Sequence, residues 1–184
     1  AAGNLLKDSS RLQGVADEGG FWPAFESNEE GLEVLVCAIE KTGRTPGQDV
    51  AIALDVAASE FGAERRYKLA RDSQEMDSDD LCGMLVDWVE RYPIVSVEDP
   101  LAEDDPDGLV RFTWAVGKRV QVVGDDFLVT NADRIEAAAQ AAACNAVLIK
   151  PNQAGTLLET KAALDAAEKA GYGAIISARS GETE

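Results

Sequence analysis

Apolar positions along this chain follow two spacings in turn. From Ser27 onward, stretches with an apolar residue every three or four positions are separated by short, continuous apolar runs; the first spacing predicts helices and the second buried strands. SNEEGLEVLVCAIEKTG (27–43) places Leu32, Leu35, Val36 and Ile39 on one helical face. It opens with Ser27 and Glu30 at capping-box spacing and closes on Gly43, where a C′ glycine belongs. AIAL (51–54) reads as a strand, followed by a loop or small hairpin around Tyr67. A second helix over SDDLCGMLVDWVERY leads into IVSV (94–97), whose Ile94, Val95 and Val97 are expected to face an apolar interior.

Three shorter rounds follow. DPDGLVRFTWAVG, ending at Gly117, precedes VQVV; TNADRIEAAAQAAA, with Thr130 and Asp133 at capping-box spacing, precedes AVLI; TLLETKAALDAAEKAG, with Thr156 and Glu159 and a final Gly171, precedes AIIS. Helices between short apolar strands predict parallel strands with right-handed crossovers. No linker rich in Pro, Gly or Ser divides the region, which reads as one α/β domain.

The placement of polar residues separates a barrel from an open doubly wound sheet. AIAL runs into Asp55, VSV into Glu98, VVG into Asp125, VLI into Lys150, and AIIS leads to Arg179 and Ser180. A functional side chain at each successive strand end is the habit of a (β/α) barrel at its C-terminal rim. An open nucleotide-binding sheet concentrates its contacts at one switch point, with a GxGxxG after the first strand; none follows here. The expected fold is a partial (β/α) TIM-type barrel.

Composition narrows the partners. The 184 residues are 46% hydrophobic and 28% charged, enough to bury a core. A formal net charge of -17 argues against nucleic acid or an anionic membrane surface. No apolar run approaches the roughly 20 residues of a membrane span, and no basic-then-apolar leader opens the sequence. Cys37, Cys82 and Cys144 form an odd, widely spaced set without CxxC, as expected of buried, reduced thiols in a cytoplasmic protein. A start without Met and a stop at SGETE suggest a piece of a longer protein.

Asp55, Glu98 and Asp125 bring three hard oxygen donors to one rim. Carboxylates that close stay ionised only beside a cation, so Mg²⁺ is the natural occupant. The chain has no His, and no Cys at a strand end, which removes a zinc or Ser-His site. Lys150, near a dication and partly desolvated, suits a base; Arg179 and Ser180 suit an anion such as phosphate. Singly, each has a plain structural explanation: a helix cap, a snorkelling lysine, an ion pair. Their recurrence at one strand terminus is the signal. Glu103, Asp104 and Asp105 precede Pro106 and a helix, and capping accounts for them.

GVADEGGFWP (14–23), AIALDVAASEF (51–61), PIVSVEDPLAEDD (93–105), VVGDDFLVTN (122–131), LIKPNQAGTLLET (148–160) and ISARSGETE (176–184) together resemble, in order, the successive motifs of the enolase family. The resemblance implies that 14–184 is a partial enolase C-terminal barrel domain, that 1–13 leads into it, and that an N-terminal capping domain and the last strands lie elsewhere. It implies Mg²⁺-dependent interconversion of 2-phospho-D-glycerate and phosphoenolpyruvate in glycolysis and gluconeogenesis, on a small phosphorylated carboxylate, in a cytoplasmic homo-oligomer. By position, Asp55, Glu98 and Asp125 match the magnesium carboxylates, Lys150 the base and Glu18 the acid for the departing C3 hydroxyl. Lys150, Arg179 and Ser180 match substrate-binding residues, the last two at the phosphate. Ala178 stands where the family commonly has His, Ala16 where Gly is commoner, and Trp22 is unusual beside DEGG. A partial barrel with open edges is expected to be poorly active alone. A superfamily enzyme on another carboxylate, or a non-catalytic scaffold, are the alternative readings.

Overall fold

The computed structural model describes residues 1–17, 19–70 and 75–179. Helix α1 (Ala2–Asp8) leads to an antiparallel hairpin, β1 (Leu12–Val15) and β2 (Phe21–Pro23). The hairpin is tied to helix α2 (Asn28–Lys41) by Arg11, whose Nη1 lies 2.5 Å from Glu30 Oε2. Ser27 caps α2 as expected, its Oγ accepting the Glu30 N–H at 3.2 Å. Glu30 does not complete the box; its carboxylate accepts the Glu26 N–H instead. Gly43 takes a left-handed φ of +76° and donates its N–H to Glu40 O.

Strand β3 (Ile52–Asp55) follows, then a short three-stranded antiparallel sheet of β4 (Gly62–Ala63), β5 (Arg66–Tyr67) and β6 (Met76–Asp77). The predicted hairpin at Tyr67 turns through Glu64 and Arg65, both at positive φ, as a two-residue hairpin loop requires. Asp77 and Asp80 form a capping box for helix α3 (Ser78–Arg91). Strand β7 (Ile94–Glu98), helix α4 (Pro106–Val116), β8 (Gln121–Gly124), helix α5 (Ala132–Ala141) and β9 (Ala146–Ile149) come next. A short helix α6 (Pro151–Ala154), helix α7 (Leu157–Ala170) and β10 (Gly173–Ile176) complete the described order.

The five long-range strands form one parallel sheet in the order β3-β7-β8-β9-β10, so neighbours in sequence are neighbours in space. Helices pack on one face only. Val97, Val122, Val147 and Ile149 share a core with Leu32, Leu81, Leu85, Leu109, Phe112 and Ile135 from the helices. The opposite face carries a separate small cluster of strand residues, Val123, Ala146 and Leu148, with Ile175 against it. One helical layer outside and a side-chain-lined inside is the wall of a (β/α) barrel, not a doubly wound sheet. The wall is open, with β3 and β10 as its edges.

Further local expectations are corrected, beginning with Cys37 and Cys82, which are only partly buried while Cys144 is buried. Leu35 is 41% exposed rather than on the buried face of α2, where Ala38 is buried instead. Val95 is 49% exposed, beside the register shift between Ile52 and Ala53. Thr130 is not the cap of α5: Asn131 is, its side chain accepting the Arg134 N–H at 3.1 Å. Thr130 is buried and left-handed for a reason that lies in the site.

Candidate active site

Register brings the candidate groups together. Asp55 pairs with Glu98, Glu98 with Val123, and Val123 with Ala146 across parallel strands. Side chains alternate faces with period two, so the positions two beyond Val123 and four beyond Ala146, Asp125 and Lys150, belong to the same face. Gly124 leaves room for the Leu128 side chain against the strand end: a Cβ there would sit 2.6 Å from Leu128 Cγ.

Lys150 Nζ lies 2.5 Å from Asp125 Oδ2, both side chains nearly buried. The other oxygen, Asp125 Oδ1, is buried and has no hydrogen-bond partner. Glu98 is pushed up to about 7, first by desolvation, then by the charges of Asp55, Asp125 and Asp99, with Lys150 opposing. Asp55 reaches solvent, yet partial desolvation and then Asp125 raise its pKa as well. One lysine therefore faces more negative charge than it neutralises. An all-carboxylate donor set with an orphaned buried oxygen fits a hard dication such as Mg²⁺, which binds oxygen ligands. Among the described residues, Asp99, Asp125 and Asp126 each offer an oxygen within 4.8 Å of the others, while Asp55 and Glu98 share the sheet face with Asp125 through strand register.

Two neighbours escaped the sequence reading. Asp99 is 3% exposed at a left-handed φ of +39°. Its Oδ1 accepts the Asp125 N–H at 3.0 Å and its Oδ2 the Asp126 N–H at 2.8 Å. Desolvation raises its pKa to about 6 against the lowering effect of those two bonds. Thr130, at φ +52° next to Val129 at +44°, accepts the Lys150 N–H on its Oγ1 at 3.0 Å and donates to Gln153 Oε1 at 2.8 Å. Consecutive β-branched residues in the left-handed region are costly and occur where surroundings enforce them. EDP could have flagged Asp99, since an acid next to a ligand candidate is a common partner; Thr130 had no signal except its misread capping spacing.

Of the three acids beyond β7, only Asp105 is shown capping the next helix as expected. Asp105 caps α4, accepting the Gly108 N–H at 3.0 Å, and Asp104 accepts the Glu64 N–H at 2.8 Å. Asp105 is fully buried and also accepts the hydroxyls of Tyr67 and Ser78. Arg179 lies past β10 and is exposed. Glu18 and Ser180 lie outside the described residues.

Helices on a single face of a parallel sheet, with an acidic cluster and one lysine at successive strand ends, define a (β/α)-barrel domain with a carboxylate site at its C-terminal rim. A family profile described as "Enolase, C-terminal TIM barrel domain" matches residues 4–184, and the chain belongs to the enolase family over that domain. It is 48% identical over 182 residues to Enolase 1 of Methylococcus capsulatus, covering 98% of this chain and 43% of that protein. It is 46% identical over 187 residues to Enolase 1 of Desulfitobacterium hafniense, covering 100% of this chain and 43% of that one. The chain thus spans less than half the length of these relatives.

Proposed function

We propose that this chain is the larger part of the catalytic barrel of a phosphopyruvate hydratase, a Mg²⁺-dependent lyase interconverting 2-phospho-D-glycerate and phosphoenolpyruvate plus water. The observation that carries the reading is Asp125. It shares Lys150 on one oxygen, has a buried, unpartnered second oxygen, and stands with Asp55 and Glu98 on one sheet face. The names of the relatives support the same activity. A lysine base acting beside Mg²⁺ is the established arrangement of the enolase superfamily.

Asp55, Glu98 and Asp125 would hold Mg²⁺, which supplies the positive charge against which a second charge on the substrate carboxylate can develop. Lys150 takes the proton from C2, held at the strand end by its own backbone bond to Thr130. Glu18 protonates the departing C3 hydroxyl, and Arg179 and Ser180 hold the phosphate. The family reading carries with it a cytoplasmic, glycolytic setting and a homo-oligomer.

The test replaces the matched segment of Methylococcus capsulatus Enolase 1 with this chain. Phosphoenolpyruvate formation, followed by its ultraviolet absorbance, should require Mg²⁺ and fall about 10²–10⁴-fold in Lys150→Ala, the usual contribution of a positioned base. A folded chimera that turns over no 2-phosphoglycerate sinks the proposal. Turnover of unphosphorylated 2-hydroxy acids instead would favour a sister enzyme, a reading that Ala178 beside Arg179 keeps open; Mg²⁺ binding without turnover of any acid would favour a scaffold.

A further inference from the structure

Asp99 stands next to Glu98 and within reach of Asp125 and Asp126; these three aspartates each offer an oxygen within 4.8 Å of the others. Proximity alone would make Asp99 another cation ligand. Its hydrogen bonds give it another task. Each of its oxygens is already the acceptor for a separate backbone donor, the successive N–H groups of Asp125 and Asp126. Its own backbone is equally committed: the Asp99 N–H donates to Val123 O, and Asp99 O accepts the Ala58 N–H. One residue therefore ties together the ends of three adjacent strands, β3, β7 and β8.

We infer that Asp99 is a positioning residue for the cation site, fixing the backbone at Asp125 and Asp126 and so the place of the Asp125 carboxylate. The inference rests on the Mg²⁺ reading above. Two chemical features of the residue follow from that role. Only a carboxylate offers a separate acceptor oxygen to each of two consecutive N–H groups; in Asn, one of the two atoms becomes a donor facing a donor. The left-handed backbone at φ +39° suits a short polar residue, since Asp and Asn visit that region where larger side chains do not. A carboxylate buried to 3% exposure is costly to retain for shape alone. Holding a ligand loop explains why it is kept, because groups that orient metal ligands govern affinity without touching the ion.

The experiment compares Mg²⁺ binding by isothermal titration in the unaltered chain, Asp99→Asn, Asp99→Gly and Asp125→Asn. Glycine accepts the left-handed φ, so Asp99→Gly removes the carboxylate without backbone strain. Both Asp99 variants should bind Mg²⁺ about 10–100-fold more weakly, with faster amide hydrogen exchange at Asp125 and Asp126. Eu³⁺ luminescence lifetimes in H₂O and D₂O should give an unchanged count of bound water in the Asp99 variants and a higher one in Asp125→Asn. Unchanged Mg²⁺ affinity in both Asp99 variants overturns the inference and leaves the cation reading standing. A water count that rises on losing Asp99, as on losing Asp125, overturns it in favour of direct ligation. No Mg²⁺ binding by the folded, unaltered chain overturns the cation reading, and this inference with it.

Discussion

Two acidic groups lie within eight residues of each other in the sequence and have opposite physical states. Asp105 is completely buried, yet the Gly108 N–H and the Tyr67 and Ser78 hydroxyls all donate to it, with Arg65 Nε 3.7 Å away. At the end of β7, Glu98 carries a pKa near 7 under the crowding of Asp55, Asp125 and Asp99, and Asp125 keeps a buried oxygen with no partner. What separates the two is satisfaction. A buried acid surrounded by donors is a structural joint. A crowd of acids short of donors is what a bound cation would stabilise.

That contrast makes its boldest claim about stability. Asp105→Ala strands two hydroxyls and a helix N–H at once, and it should lower unfolding free energy on the order of 4 kcal/mol in urea titrations. Mg²⁺ affinity of the molecules that remain folded should be unchanged. A small stability loss paired with lost Mg²⁺ binding would reverse the assignment of the two groups. Next in size is the cation itself. Mg²⁺ at 100 times its dissociation constant should raise stability by about 2.7 kcal/mol, and Asp125→Asn should abolish the rise. If Asp105→Ala removed it equally, the two groups would be one functional unit.

The difference between these groups also marks how far the sequence could be read. The alternation of helical and strand spacing, the caps at Ser27 and Thr156 and the glycines at Gly43 and Gly171 are local signals, and the structure repeats them. Asp55, Glu98, Asp125 and Lys150 were legible because each closes an apolar run; sharing a face follows from strand register. What was hidden depends on partners distant in sequence. Nothing near Asp105 says that Tyr67, 38 residues earlier, will donate to it. Nor does Thr130 reveal that it turns left-handed to accept the N–H of Lys150, 20 residues later. Its spacing to Asp133 imitated a cap because Asn131, one place on, is the true one. The open edges at β3 and β10 agree with the partial barrel that the family resemblance implied.

A third test works in the opposite direction from the first. Glu98→Gln keeps the shape of the side chain while removing one of the crowded charges. In Mg²⁺-free buffer it should raise the thermal midpoint, by the equivalent of about 1–2 kcal/mol, because functional groups held in mutual repulsion are a common reserve of lost stability. The same substitution should weaken Mg²⁺ binding. A variant that is less stable without Mg²⁺ would mean that Glu98 already has what it needs from the protein, as Asp105 does.

Thr130 belongs to neither group cleanly, so it gives the finest test. Its hydroxyl is satisfied on both sides, accepting from Lys150 and donating to Gln153, as at a structural joint. Its left-handed backbone, shared with Val129, is the strain expected near a working group. Thr130→Val should cost about 1 kcal/mol by leaving the Lys150 N–H without its acceptor, and Thr130→Ser only a few tenths. If Thr130 serves only the fold, turnover in the chimeric enzyme should be equal in both variants once each is fully folded. If the hydroxyl sets where Lys150 stands, Val should lower kcat while KM for 2-phosphoglycerate stays the same, and Ser should restore it. The second outcome is expected, because the bond goes to the backbone of the residue proposed as the base, and a small displacement of a base is felt in the chemical step before it is felt in binding.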